Sequence, residues 1–154
     1  MVDKQTVLVY ASPIGSLHIA AFDGAIVHLG FSPISGTPGI LPVLERCALQ
    51  LDEYFAGTRQ VFDLPLAPAG TVFQQKVWTV LQTIPYGMTW TYKDLAEAAG
   101  CPRGYRAVGL ANNRNPISII IPCHRVIGAN GKLTGYGGGL ANKAYLLKRE
   151  GICF

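Results

Sequence analysis

The chemically reactive residue types of this chain meet in one short run, Pro122-Cys123-His124-Arg125-Val126. A cysteine attacks as its thiolate, and neighbouring His and Arg side chains favour that ionised form. Because adjacent side chains point different ways from an extended backbone, we expect a water molecule to mediate between Cys123 and His124. Glu150, on the last predicted helix, is a candidate to orient His124, as the third member of a triad orients its histidine. On these residues alone, a buried and inert cysteine stays open as the alternative.

The segments on either side of this run determine what the thiol would face. Ile117–Ile121 is apolar on both faces, which predicts a buried strand that ends just before the cysteine. A glycine-rich stretch around Tyr136 follows, typical of a mobile lid or of a backbone wall against a flat ligand. A hairpin with permissive turns explains that stretch equally. Leu140–Glu150 then predicts a closing amphipathic helix.

Upstream of the reactive run, two short helices and a glycine-containing turn predict a helix-turn-helix. Thr91 is a candidate N-cap for a helix over Tyr92–Ala99, and Arg103–Asn112 predicts the second helix. Thr71 is likewise a candidate N-cap for a preceding helix, which carries Phe73, Val77, Trp78 and Leu81. That second helix combines small residues with two arginines, namely Arg103, Arg106, Ala107, Gly109 and Ala111. Small side chains allow close approach to a nucleic-acid backbone, and arginine contacts phosphates or enters a groove. A helix packed tightly on its neighbour would account for the small residues as well.

The first third of the chain predicts a small β-sheet followed by one helix. Turn signals at Pro13–Gly15 and Phe22–Gly24 separate three β-rich segments. Apolar residues at three- and four-residue steps from Leu41 to Phe55 predict an amphipathic helix that stops at Gly57. Because residues 64–70 resemble a linker, we expect an N-terminal α/β lobe over residues 1–68 and a second domain over residues 69–154.

The net charge of the chain changes sign at the boundary between residues 68 and 69. Residues 69–154 carry ten Lys or Arg against three Asp or Glu, a net charge of +7, whereas residues 1–68 carry three against six, a net charge of −3. A basic lobe beside an acidic one indicates a polyanion partner for the second lobe only. A solvated basic face is the alternative that charge alone leaves open.

Composition excludes several classes of protein. The 154 residues are 49% hydrophobic and 14% charged, which is unlike a disordered chain or a coiled coil. We see neither a membrane-length apolar run nor a secretion signal, and expect a soluble cytoplasmic protein. Its four cysteines lack C-x-x-C spacing, so we expect reduced thiols and neither a metal nor another cofactor.

Taken together, the motifs of residues 71–151 resemble the O6-alkylguanine-DNA alkyltransferases. The run from Ile121 to Gly128 is followed at family spacing by Gly135–Leu140 and Leu146–Gly151. Further matches precede it in the same order, at Phe73, Val77-Trp78, Ile84–Gly87, Thr91-Tyr92, Arg106–Gly109 and Asn115-Pro116. The N-terminal lobe resembles the family only in its general pattern.

This resemblance implies an α+β fold, with a small N-terminal β-sheet lobe of the RNase H-like kind and a C-terminal helical DNA-binding lobe. It implies that the helix-turn-helix binds the minor groove of duplex DNA and that the damaged guanine is flipped into a pocket. Cys123 would accept the alkyl group from guanine O6, with His124 acting as base through water and Glu150 orienting it. Tyr92 would rotate the nucleotide and protonate the leaving guanine, and Asn115 would support the turn.

The resemblance also assigns the remaining contacts. Arg106 would fill the space left by the flipped base, with further DNA contacts from Arg103, Ala107, Gly109 and Arg125. The substrate pocket would be formed by Val126, Tyr136, Gly137, Gly138 and Gly139, with the carbonyls of Cys123 and Val126 accepting from the guanine amine. The implied partner is double-stranded DNA containing O6-alkylguanine, with O4-alkylthymine as a further substrate, bound by a monomer with or without cooperativity along DNA.

Three other functions differ in class. A lesion-binding sensor without transfer is disfavoured because such relatives replace the cysteine, which is present here. A helix-turn-helix regulator would leave His124 and Glu150 without a role. A cysteine hydrolase usually takes its histidine from a remote part of the sequence, whereas Cys123 and His124 are adjacent.

Overall fold

A computed structural model describes residues 4–153, which form two compact units that divide between Ala69 and Gly70. Within that range no helix is both long enough and apolar enough to cross a membrane. All of the reactive residues identified above belong to the second unit.

The first unit is a four-stranded sheet with one helix. Its elements are β1 (Thr6–Ser12), β2 (Gly15–Phe22), β3 (Ala25–Gly30), β4 (Thr37–Pro38) and α1 (Pro42–Ala56). The sheet order is β3-β2-β1-β4, antiparallel except for the parallel pair of β1 with β4. Asp23 and Gly24 have φ angles of 52° and 79°, so the two-residue turn between β2 and β3 follows the right-handed twist of the strands. As predicted, α1 stops at Gly57, which caps it at a φ of 82°.

The second unit contains four helices, α2 (Val72–Leu81), α3 (Tyr92–Ala98), α4 (Tyr105–Asn113) and α5 (Leu140–Arg149). Two of them begin with reciprocal capping. The Thr71 hydroxyl accepts from the backbone N–H of Gln74, whose side chain accepts from the N–H of Thr71 in return. Thr91 and Asp94 repeat the arrangement at the start of α3. Each box satisfies two backbone donors that a helix start leaves free, which is why both helices begin where the threonines predict.

Packing within this unit explains part of the small-residue pattern on α4. Trp78 is buried, and its indole N–H donates to the carbonyl of Ala111 at 2.8 Å. Ala111 therefore lies against α2, whereas Ala107, one turn earlier on α4, is exposed. Packing against a neighbouring helix thus accounts for Ala111 but not for Ala107, for which DNA contact stays a prediction.

A short parallel sheet brings the second unit's functional segments together. β5 (Trp90–Thr91) leads directly into α3, and β6 (Val126–Ile127) directly follows a 3-10 turn at Cys123–Arg125. Trp90 pairs with Val126, and Thr91 pairs with Ile127. This pairing sets the first turn of α3 beside the reactive turn.

The prediction of a strand over Ile117–Ile121 is wrong. The segment is buried as predicted, but it runs as consecutive turns in which the N–H of Ile121 donates to the carbonyl of Ile117. Asn115 holds the turns from within, since its amide donates to the carbonyl of Ile121 at 2.8 Å and its oxygen accepts from the N–H of Ile117. Ile119 adopts a positive φ of 72°, which no regular strand contains.

Candidate active site

Cys123 opens the 3-10 turn and lies in the interior, with 5% of its surface exposed. Burial raises the pKa of its thiol, because a thiolate is poorly solvated there. Three groups lower the pKa in turn, because the Asn115 amide, the positive charge of Lys143 and the backbone N–H of Cys123 each favour the thiolate. The site therefore protects the sulfur from bulk water while providing groups that stabilise its ionised form.

His124 is fully buried and tied to Glu150, with 2.7 Å between Nε2 and Oε2. A carboxylate only accepts hydrogen bonds, so Nε2 carries the proton and Nδ1 keeps a lone pair. Burial lowers the pKa of His124 more than the neighbouring carboxylate raises it, which keeps the ring neutral. Nδ1 is buried and has no hydrogen-bond partner among residues 4–153, so it is the ring nitrogen that can still accept a proton.

Glu150 is the C-cap of α5 and serves two residues of the reactive turn at once. Besides His124, it accepts from Arg125 Nε at 2.7 Å and from Nη2 at 3.1 Å. Burial alone would raise the pKa of this carboxyl group, but the hydrogen bonds and charges of His124 and Arg125 outweigh it and lower the pKa to about 2. Glu150 is therefore ionised and fixed in place.

Arg125 was predicted to contact DNA, and the structure does not support that assignment. Its guanidinium is buried, where it pairs with Glu150, donates to the carbonyl of Ile84 at 2.7 Å and lies 5.7 Å from the centroid of the Tyr86 ring. A buried guanidinium requires such partners, and with only 7% of its surface exposed Arg125 is not presented to a phosphate. Arg125 holds Glu150 in position instead.

Sequence reasoning missed Lys143. Its ammonium is completely buried and donates at 2.6 Å to the carbonyls of Val126 and Thr134, with the carbonyl of Gly135 at 3.5 Å. Burial lowers the pKa of this amine to about 8. The ammonium thus fastens the glycine-rich segment to the residue that follows the reactive turn.

Two of the predicted pocket residues, Val126 and Tyr136, lie beside this centre. The Val126 carbonyl accepts from Lys143. The Cys123 carbonyl accepts from the Asn112 amide at 3.4 Å and from the backbone N–H of Val126. Tyr136 lies close enough to Cys123 for their charges to interact, and burial raises the pKa of its phenol well above the usual value.

The glycines after Tyr136 are explained in two ways. Gly139 has a φ of 92° as the N-cap of α5, so its backbone conformation favours glycine. An added Cβ at Gly137 would meet no atom of the protein within 4 Å and its φ is ordinary, so nothing inside the protein requires glycine there. Gly138, between them, is half-buried.

The other predicted DNA contacts lie on α3, on α4 and in the turn between them. Arg103 in the turn before α4 and Arg106 and Ala107 in its first turn are exposed. Gly109 lies one turn further along, where an added Cβ would be 3.7 Å from the Tyr92 ring. The start of α3 and one face of α4 therefore meet at this glycine, and α3 and α4 form the predicted helix-turn-helix.

Fold and site together define a helix-turn-helix protein whose interior holds a thiol, a neutral histidine and an ionised carboxylate. Residues 72–152 match the family described as the 6-O-methylguanine DNA methyltransferase DNA-binding domain, and residues 7–68 match its ribonuclease-like domain. The chain belongs to the 6-O-methylguanine DNA methyltransferase family. This confirms both the resemblance drawn from the motifs and the α+β fold class.

Individual relatives agree with the family match over nearly the whole chain. A methylated-DNA–protein-cysteine methyltransferase of Methanosarcina barkeri is 53% identical over 148 residues, which cover 90% of this chain and 92% of the relative. One of Mycobacterium leprae is 50% identical over 145 residues, covering 90% and 88%. The crystal structure of Mycobacterium tuberculosis OGT in complex with DNA superposes with a TM-score of 0.88 at 47% identity, covering 94% of this chain and 92% of that one.

Proposed function

We propose that this protein repairs DNA by transferring the alkyl group from O6-alkylguanine in duplex DNA to its own Cys123, once per molecule. The observation that carries the proposal is the buried chain from the Cys123–His124 turn to Glu150, in which a neutral imidazole has one nitrogen held by a carboxylate and the other available. Family membership and a DNA-bound relative of the same fold support it.

Binding begins at the helix-turn-helix. Arg103 and Arg106 supply positive charge for phosphates, and the small Ala107 lets the first turn of α4 approach a groove closely. An alkylated guanine inside a duplex is out of reach of a buried thiol, so the nucleotide must be flipped out of the stack. Arg106 takes the space that the base leaves, and the protein acts as a monomer.

The chemistry is a one-step displacement. His124 Nδ1 takes the thiol proton, through one water molecule, and Glu150 stabilises the imidazolium that forms. The sulfur bonds to the alkyl carbon as the carbon–O6 bond breaks, and the guanine leaves with the electron pair. Tyr92 protonates the leaving base. Because the thioether has no route back to a thiolate, the protein reacts once and needs no cofactor.

Intact-mass spectrometry after mixing the protein with a duplex carrying one O6-methylguanine tests the proposal. We expect one methyl-sized mass gain, mapped to Cys123 and abolished by Cys123→Ser. Cys153→Ser is the matched control, since Cys153 is exposed and outside the site, and it should gain the same mass as the unmodified protein. Tight binding without any mass gain would refute transfer and leave a lesion-binding sensor or a DNA-binding module.

A further inference from the structure

We propose that Thr134 is a positioning residue for alkyl transfer, which orients the Tyr92 phenol so that its proton is available to the leaving guanine. This inference rests on the proposed function, because it gives Tyr92 a task within that reaction. Nothing in the motifs singled out Thr134, which lies in the glycine-rich segment between β6 and α5.

One side-chain hydrogen bond joins Thr134 to Tyr92 across 42 residues of sequence. Thr134 Oγ1 donates to the phenol oxygen of Tyr92 at 3.1 Å. A phenol has one proton and an oxygen that accepts, and here the acceptor side is engaged by the threonine. The proton of Tyr92 is consequently directed away from Thr134 and can be donated elsewhere.

The position of Thr134 is fixed by a buried side chain. Its carbonyl accepts from the buried Lys143 ammonium at 2.6 Å, and the same ammonium binds the carbonyl of Val126, which follows the reactive turn. The Thr134 methyl group lies 3.6 Å from where a Cβ on Gly128 would be, so it packs against that backbone. One buried cation thus sets the position of Thr134, and through it the Tyr92 phenol, relative to the segment that carries Cys123.

The pair lies where a flipped nucleotide would pass. Thr134 and Tyr92 line one surface cleft of about 360 Å³ together with Tyr105, Arg106 and Gly109 of α4. Gly109 leaves room beside the Tyr92 ring, since even an added Cβ would only reach van der Waals contact. DNA bound over this cleft would exclude water from it, and a hydrogen bond becomes stronger as the local dielectric falls.

The proton balance of the reaction explains why this bond favours the transition state. As sulfur bonds to the alkyl carbon and the carbon–O6 bond breaks, the electron pair stays with guanine and Tyr92 passes its proton to a ring nitrogen. Thr134 then donates to a phenolate, and a hydrogen bond to an ionised acceptor is about twice as strong as one to a neutral acceptor. Once the DNA has left, solvent returns to Tyr92 the equivalent of the proton that Cys123 released to His124, so protons balance. Because the bond strengthens as the reaction proceeds, it accelerates transfer without tightening binding.

Single-turnover kinetics with a duplex carrying O6-methylguanine tests the inference, with the dissociation constant for that duplex measured separately. Thr134→Val keeps the shape and removes the hydroxyl, and we expect the rate at saturating DNA to fall about tenfold with unchanged binding. Thr134→Ser keeps the hydroxyl and should restore most of the rate. Thr79→Val is the matched control, because Thr79 is exposed on α2 and bonds only the carbonyl of Gln75 among the contacts described.

A double-mutant comparison separates positioning from a structural role. In a Tyr92→Phe background there is no phenol left to orient, so adding Thr134→Val should slow transfer no further. An equal slowing in both backgrounds, or a Thr134→Val rate equal to that of the unmodified protein, would overturn the inference while the proposed function stands. Absence of transfer by the unmodified protein would instead refute the proposed function.

Discussion

Replacing Glu150 by Gln should destabilise the second unit in a way that depends on pH. The Glu150 side chain is fully buried and is bonded to both His124 and Arg125. The amide keeps the shape of the carboxylate but removes its charge, leaving the Arg125 guanidinium in the interior without a counterion. Loss of one member of a buried ion pair typically costs about 3–5 kcal/mol.

The lowered pKa of Glu150 independently gives the size of its contribution to the free energy of unfolding. The pKa falls from a usual value of 4.5 to about 2 on folding. Each pKa unit corresponds to about 1.4 kcal/mol, so the ionised carboxylate contributes about 3 kcal/mol to the free energy of unfolding. Because the folded pKa is the lower one, this contribution is complete above pH 4.5 and is lost as the pH falls toward 2. Glu150→Gln cannot titrate at this position and lacks the contribution at every pH.

Urea denaturation followed by tryptophan fluorescence measures the difference. Both tryptophans of the chain, Trp78 and Trp90, lie in the second unit, so the signal reports the unfolding of that unit. We expect Glu150→Gln to be less stable by about 3 kcal/mol at pH 7, and the gap to shrink by about 2 kcal/mol at pH 3. A gap of the same size at both pH values would refute the assignment of the lowered pKa to this carboxylate.

Two further predictions concern the buried cation and the surface arginine. Lys143→Met should raise the pH at which Cys123 reacts with iodoacetamide, because the ammonium favours the thiolate. Lys148→Met, on the exposed face of the same helix, is the control. An unchanged dependence of the reaction on pH in Lys143→Met would contradict the effect. Arg106→Ala should weaken binding to duplex DNA and reduce the salt dependence of the binding constant by about one unit of slope, with stability within about 0.5 kcal/mol of the unmodified protein. A salt slope that stays the same would exclude Arg106 from phosphate contact.

Local signals predicted the elements well where one residue type satisfies a definite backbone need. Thr71 and Thr91 each accept from a free backbone N–H, and Gly57 adopts the left-handed conformation that ends α1. Asp23-Gly24 likewise gives the turn that joins two strands. Each of these interactions joins residues no more than four positions apart, so the local sequence is enough to predict it.

Contacts between residues far apart in the sequence determine the features that the sequence analysis did not predict. Ile117–Ile121 has the composition of a buried strand, but burial on all sides is equally met by turns whose backbone groups bond to Asn115. Arg125 looks like a surface charge until its carboxylate partner 25 residues later is known. Lys143 looks like the polar face of an amphipathic helix, because the carbonyls that hold it belong to segments whose conformation no periodicity predicts.

The close burial of Cys123 bears on the fate of a protein molecule that has reacted. Its interior surroundings are packed around a thiol, and an added alkyl group must be accommodated in a site where extra methylenes typically cost about 1–3 kcal/mol. Domains of this size are stable by only about 5–15 kcal/mol, so such a loss raises the unfolded fraction at least severalfold. Cellular proteases act on that fraction. An alkylated molecule would therefore be degraded faster than an unreacted one, so the half-life of the protein would depend on how much alkylated DNA it has repaired.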